Sequence, residues 1–115
     1  MNILYLLSLA LALAIPDRYA DVTRNLMKKH NAPDWVVVID AVQHKTLAFT
    51  DVSTKKIYID FNRFANAPNS LKNVIYHEIE HTKGRNHNNV SNDIMGYFIT
   101  LNAAGDVIDD VRVWP

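Results

Sequence analysis

The run from His77 to His87 constrains this chain more than any other stretch, because it asks for a helix, an abrupt stop and a returning loop in close succession. Within His77-Glu78-Ile79-Glu80-His81 the two histidines are four residues apart, which on a helix puts both imidazoles on one face, a turn apart. Gly84 follows where that helix has to end. A glycine takes the left-handed backbone conformation at low cost, so the chain can turn sharply there and bring His87 back towards the first two rings. Three imidazoles suit one tetrahedral zinc ion with its fourth position open to water and substrate, the arrangement of a catalytic rather than a closed structural site. Glu78, beside the first ligand, can reach a water on the metal without binding the metal itself. It is suited to take that water's proton and deliver it to a leaving amine. Anywhere in a chain of this composition, the five fixed positions would arise by chance with a probability on the order of a few in 10⁶.

The rest of the sequence supplies elements that can carry such a helix. Asp17 is a candidate cap for a first helix running to about Asn31, with Tyr19, Val22 and Leu26 on one face. Ala32-Pro33-Asp34 stops it. Trp35 to Val42, rich in β-branched residues, reads as a central strand buried on both faces. Lys45 to Thr50 and Lys56 to Phe61 read as shorter strands joined by the polar turn from Asp51 to Lys55. Pro68-Asn69-Ser70 opens the second helix, with Asn69 or Ser70 as its cap and Leu71, Val74, Ile75 and Ile79 as its apolar stripe. Beyond Gly84 the chain reads as loop-rich, with at most one short strand or helical turn between Val107 and Trp114. The expected fold is α+β, a twisted β-sheet with two main helices, the active-site helix preceding a loop-rich C-terminal part.

Composition narrows the function classes. The 12 Lys and Arg balance 12 Asp and Glu, so no net field would draw the chain to nucleic acid or an anionic membrane surface. The only Glu residues are Glu78 and Glu80. With no cysteine, a metal has to be held by His, Asp or Glu, and no disulfide framework is available. Glu80 is expected to point away from the metal, and His30 and His44 to face solvent, His30 favouring the helix dipole when protonated.

Ile3 to Ile15 is apolar except for Ser8, too short for a spanning helix but of the length of a signal-peptide core. Residues 1–15 therefore divide from a domain over 16–115, and three readings of the segment stay open. It is a signal cleaved near Ala12-Leu13-Ala14, a retained anchor making a membrane or assembly contact through residues 3–15, or a strand of the domain. The first two imply a secreted or membrane-anchored protein.

The motif from His77 to His87, followed by Ser91-Asn92-Asp93-Ile94-Met95-Gly96-Tyr97, resembles the metzincin clan of zinc peptidases. Met95 is similar to the methionine of that clan's Met-turn, which forms the floor under the metal. Met95-Gly96-Tyr97 resembles the astacin and serralysin branches, in which the tyrosine is a metal ligand or stabilises the transition state. The resemblance implies a small metzincin-like fold, Zn2+ on His77, His81 and His87, and catalysis by Glu78 and Tyr97 on a peptide or protein substrate. It also implies that Thr46 to Thr50 is an edge strand along which an extended substrate lies. Lys83 and Arg85 beside Gly84, and Asn88 after the third histidine, depart from the residues the clan commonly has there. Two other functions stay open: a non-catalytic, zinc-stabilised structural or interaction module of a larger assembly, and a zinc hydrolase acting on a non-peptide amide.

Overall fold

The computed structural model of the chain describes residues 13–42, 46–90 and 92–113, with side chains described as far as residue 108. Its first strand, β1 (Leu13–Ala14), is followed by helix α1 (Asp17–Lys29) and by strands β2 (Val37–Asp40), β3 (Ala48–Asp51) and β4 (Lys56–Ile59). A 3₁₀ turn over Phe61–Phe64 leads to helix α2 (Pro68–Thr82). A second 3₁₀ turn, Ile94–Gly96, opens a hairpin of β5 (Tyr97–Leu101) and β6 (Val107–Val113). The fold is α+β: the described residues form two α-helices, a four-stranded mixed sheet of order β1-β2-β4-β3 and a small antiparallel sheet of β5 and β6.

β2 pairs in parallel with both β1 and β4, Val38 standing opposite Leu13 on one side and Ile57 on the other. β3 runs antiparallel to β4 and lies at the sheet edge, with Phe49 opposite Tyr58. Along β4, Ile57 and Ile59 are fully buried while Lys56 and Tyr58 are not, the alternation of a sheet covered on one face. β2 follows the same rule. Val38 is buried and Val37 and Ile39 only partly so, which corrects the expectation of a strand buried on both faces. On the open face the Phe49 and Tyr58 rings stack across the strands at 4.6 Å, a pairing that stabilises by roughly 0.2–1 kcal/mol.

The buried face meets the stripe of α2, where Leu71, Val74, Ile75 and Ile79 are almost wholly removed from water. Burying each contributes about 1.5–3 kcal/mol, so this packing, and not helix propensity, fixes where α2 lies. Its start differs from expectation. Pro68 is the first helical residue, Ala67 occupies the cap position without a side-chain bond, and Ser70 is buried within the first turn. Proline is suited to that first position because its missing N–H would lack a helical partner anyway. Asp17 likewise stands inside the first turn of α1 and does not cap it, the cap position being Pro16. The negative charge there still favours the positive end of the helix dipole.

His30 differs from expectation as well. Its ring stacks on Tyr76 at 3.7 Å and 9°, and its carbonyl accepts a bond from the Lys83 ammonium, so the end of α1 is fastened to α2. Burial, then the neighbouring Lys29 charge, holds its pKa below the usual histidine value, which favours the neutral ring over the dipole role. His44 lies outside the described residues, as does the apolar segment before Leu13. The C-terminal part is more regular than expected, since β6 covers Val107–Val113 and pairs with β5 from Leu101↔Val107 to Tyr97↔Val113. No helix among the described residues is long and apolar enough to cross a membrane.

Leu13 and Ile15 pack against the core although both are only partly buried. A chain starting at Pro16 should therefore be less stable than one starting at Leu13 by about 2 kcal/mol, on the order of 10 °C in Tm for a domain of this size. Thermal melts of the two chains test this, and equal melting temperatures would show that β1 adds nothing.

Candidate metal centre

α2 ends as its sequence requires. Gly84 has φ +86°, its N–H donates to the His81 carbonyl at 3.0 Å, and the Arg85 N–H donates to the Glu80 carbonyl at 3.3 Å. These two bonds make a Schellman turn, which satisfies carbonyls that the helix end would leave unpaired. Nothing lies within 4 Å of where a Gly84 Cβ would stand, so the glycine answers to the backbone conformation and not to crowding.

The turn carries the chain back over the end of α2, and the three histidines meet. Nε2 of His77 lies 3.0 Å from Nε2 of His87 and 3.1 Å from Nε2 of His81, and the His81–His87 pair is 3.2 Å apart. Burial decreases from His77, which is buried, through His81 to the exposed His87. Three nitrogens on a tetrahedral zinc at about 2.0–2.1 Å stand about 3.3 Å from one another, so the triangle fits a metal ion with little adjustment.

The far side of two rings decides which form they take. His77 Nδ1 lies 2.9 Å from the Ile94 carbonyl and His81 Nδ1 lies 2.9 Å from the Arg85 carbonyl. A carbonyl only accepts, so both Nδ1 atoms carry the proton, and each ring in its neutral form turns a bare Nε2 lone pair to the centre. Two lone pairs 3.1 Å apart repel unless a cation lies between them. Burial holds the pKa of His77 below the usual histidine value, with the charges of His81 and His87 adding to the effect and the Ile94 bond opposing it, so the ring keeps its ligand form.

Glu78 is buried next to this triangle. Its Oε1 accepts a 2.8 Å bond from the Thr50 hydroxyl at the end of β3, and its Oε2 takes no hydrogen bond from the described residues. Burial pushes its carboxyl up to about 7, against the opposing pull of the Thr50 bond and of His87. A cleft of about 460 Å³ opens in front, lined by Ala48, Thr50, Glu78, His81, Arg85 and His87 among others. A smaller one of about 260 Å³, walled by Leu47, Val74, Phe98 and Ile99, also reaches His77 and Glu78.

Tyr97 is buried beside His77, the ring centroids 6.2 Å apart. Its hydroxyl donates to the Ser70 carbonyl at 3.0 Å, so to serve a reacting group it must leave that partner. Met95 is buried in the Ile94–Gly96 turn and lines a cleft together with His87 and Tyr97. Glu80 is buried and ion-paired. It meets Lys83 and Arg85, each at 3.0 Å. Burial alone would raise its pKa, but the bonds from Lys83 and Arg85 outweigh it and lower the value.

Four contributions to the site escape sequence reasoning: the Thr50 hydroxyl, the Ile94 carbonyl, and the side chains of Arg85 and Asp93. Asp93 had a local signal, since an aspartate two residues before Met95 can cap the turn, and its Oδ1 does accept from the Met95 N–H at 3.0 Å. Compared with known protein families, with curated protein sequences and with solved structures, the chain shows no match. What the centre can do therefore follows from its own geometry.

Two outcomes are expected. Replacing His87 by Ala should abolish stoichiometric zinc uptake, measured by metal analysis after gel filtration, and unchanged zinc content would remove His87 from the ligand set. The second concerns acid. Asp93 is held down at about 2, first by its bonds from Arg85, so its contribution to stability is present above its ordinary value near 3.8 and is lost as pH falls towards 2. Asp93→Asn should flatten the loss of metal-free stability over that window in denaturant titrations. Parallel pH profiles for the two proteins would contradict the assignment.

Proposed function

We propose that the protein is a zinc-dependent endopeptidase of metzincin type, with His77, His81 and His87 as ligands and Glu78 as general base. The observation that carries this reading is the conjunction of three converging Nε2 atoms with a buried carboxylate whose Oε2 takes no hydrogen bond from the described residues. A purely structural site has no need of a base beside its ligands. Zinc, when bound there, supplies Lewis acidity, polarising a carbonyl and making water more acidic.

The chain's own groups perform the proton transfers. Glu78 takes a proton from the attacking water as the water oxygen bonds to the peptide carbonyl carbon. When the carbon–nitrogen bond breaks, the same carboxyl returns the proton to the departing amine. A carboxyl that burial raises to about 7 is suited to hold and release a proton near neutral pH, and a dication beside it would move it lower. Edge strand β3 lines the cleft next to Glu78, so an extended peptide could pair with its backbone with little demand on side-chain identity. Tyr97 packs beneath His77 and would act on the oxyanion only after giving up Ser70.

One observation favours a second reading, a zinc-held structural module. The Thr50–Glu78 bond gives Glu78 a use in joining β3 to α2 without any chemistry.

Glu78→Gln separates the two, because it keeps the shape and the Thr50 bond while removing the base. Zinc content should stay at one per chain, and cleavage of an unfolded protein substrate should fall at least about 10²-fold. Wild-type cleavage that a chelator abolishes and the variant lacks supports the peptidase. A zinc-loaded wild type that cleaves nothing gives way to the structural module. Tyr97→Phe should leave turnover within about twofold if the ring only packs, and a fall of about 10²-fold or more would assign the hydroxyl to the transition state.

A further inference from the structure

His87 is the exposed member of the triad and rides on a loop, so something has to hold that loop closed. Helix packing places His77 and His81, but His87 is reached only after the chain has left α2. Among the described residues an ion pair joins the two ends of this loop, beside a backbone bond from the Asn88 N–H to the Met95 carbonyl. Arg85 Nη2 donates to both Asp93 oxygens, at 2.7 and 2.5 Å, and Asn88 Nδ2, next to His87, donates to Asp93 Oδ2 at 3.1 Å. Arg85 is held in turn from α2, its Nη1 bonding Glu80 Oε1 at 3.0 Å. Where a Schellman turn frequently sets an apolar contact between these two positions, this chain sets a charged one.

The same two residues adjoin the groups that orient the other ligands. The carbonyl that accepts from His81 Nδ1 belongs to Arg85 itself. The carbonyl that accepts from His77 Nδ1 belongs to Ile94, the residue after Asp93. One ion pair thus joins the backbone segments that orient two ligand rings and closes the loop that carries the third.

We infer that the Arg85–Asp93 pair is a clasp that assembles the metal centre, so that these two positioning residues set metal affinity without touching the ion. The inference rests on the three histidines binding metal, and it does not depend on catalysis. Substitution of outer partners of metal ligands typically lowers metal affinity by about 10- to 100-fold, and the clasp acts on all three ligands together.

The test uses the full chain and zinc itself, with affinity measured by competition against a chromophoric chelator. Asp93→Asn keeps an oxygen for the Met95 N–H and removes the charge, and Arg85→Gln removes the other half of the pair. Each should bind zinc at least about 10-fold more weakly than wild type. The double variant should be no weaker than the weaker single one, because one interaction is lost only once. Arg24→Gln, which removes the remote pair with Asp21, should bind as wild type does. Circular dichroism of the metal-free proteins should show all of them folded, and cobalt substitution should give an altered visible spectrum in the two clasp variants only. Zinc affinity within twofold of wild type in both clasp variants would overturn the inference, as would loss of the fold in both, since the pair would then hold the domain and not the ligand loop. If wild type binds no zinc, or His87→Ala binds as tightly as wild type, the three-histidine site itself is wrong and the clasp falls with it.

Discussion

Two carbonyl oxygens govern the centre. By accepting from Nδ1 of His77 and His81, Ile94 and Arg85 orient both rings so that, when neutral, they present Nε2 lone pairs to one point, 3.1 Å apart, with a third imidazole closing the triangle. Without a cation this arrangement is repulsive, and with one it is a preorganised ligand set. The surrounding fold reads as the support for those two oxygens. α2, fixed by its buried stripe, sets the spacing of the first two rings, and the Gly84 turn delivers the Arg85 carbonyl. The Ile94–Gly96 turn, capped by Asp93 and continued into the β5–β6 hairpin, delivers the other.

The parts of this design legible in the sequence are those written in local periodicity. The His77–His81 spacing, the stop at Gly84 and the stripe of α2 depend on residues within a few positions of each other, and each is found where the pattern put it. Strand boundaries were less legible, because burial on one face or two depends on which layers cover the sheet, and Val37 gives no sign that its side will stay half open. The hairpin after Tyr97 is hidden in the sequence for a related reason. Its register is irregular around Phe98 and Thr100, so no clean alternation marks it. The Thr50–Glu78 bond joins residues 28 apart and leaves no local trace.

Helix caps show the opposite error, in which a local rule was present and tertiary packing overrode it. Ser70 has the residue type of a cap, yet it is buried inside the first turn of α2 and its carbonyl accepts from Tyr97. His30 likewise has the residue type that suits a helix end as a cation, but stacking on Tyr76 and the Lys83 bond to its carbonyl draw it into the α1–α2 junction. In both places a residue that could have faced water contributes to holding α2, and through α2 the two ligands it carries. A domain of this size has few kilocalories to spare, and a bound dication would add to them directly, linking folding to metal supply.

X-ray absorption at the zinc edge, on the full chain loaded with one equivalent of metal, tests the central claim most directly because it reads the ligand set without reference to activity. Three imidazole nitrogens at about 2.0–2.1 Å, with one further light atom that exchanges when a small anion is added, is the result expected for three histidines and an open position. Fewer than three imidazoles, or a fourth protein ligand closing the shell, would contradict it.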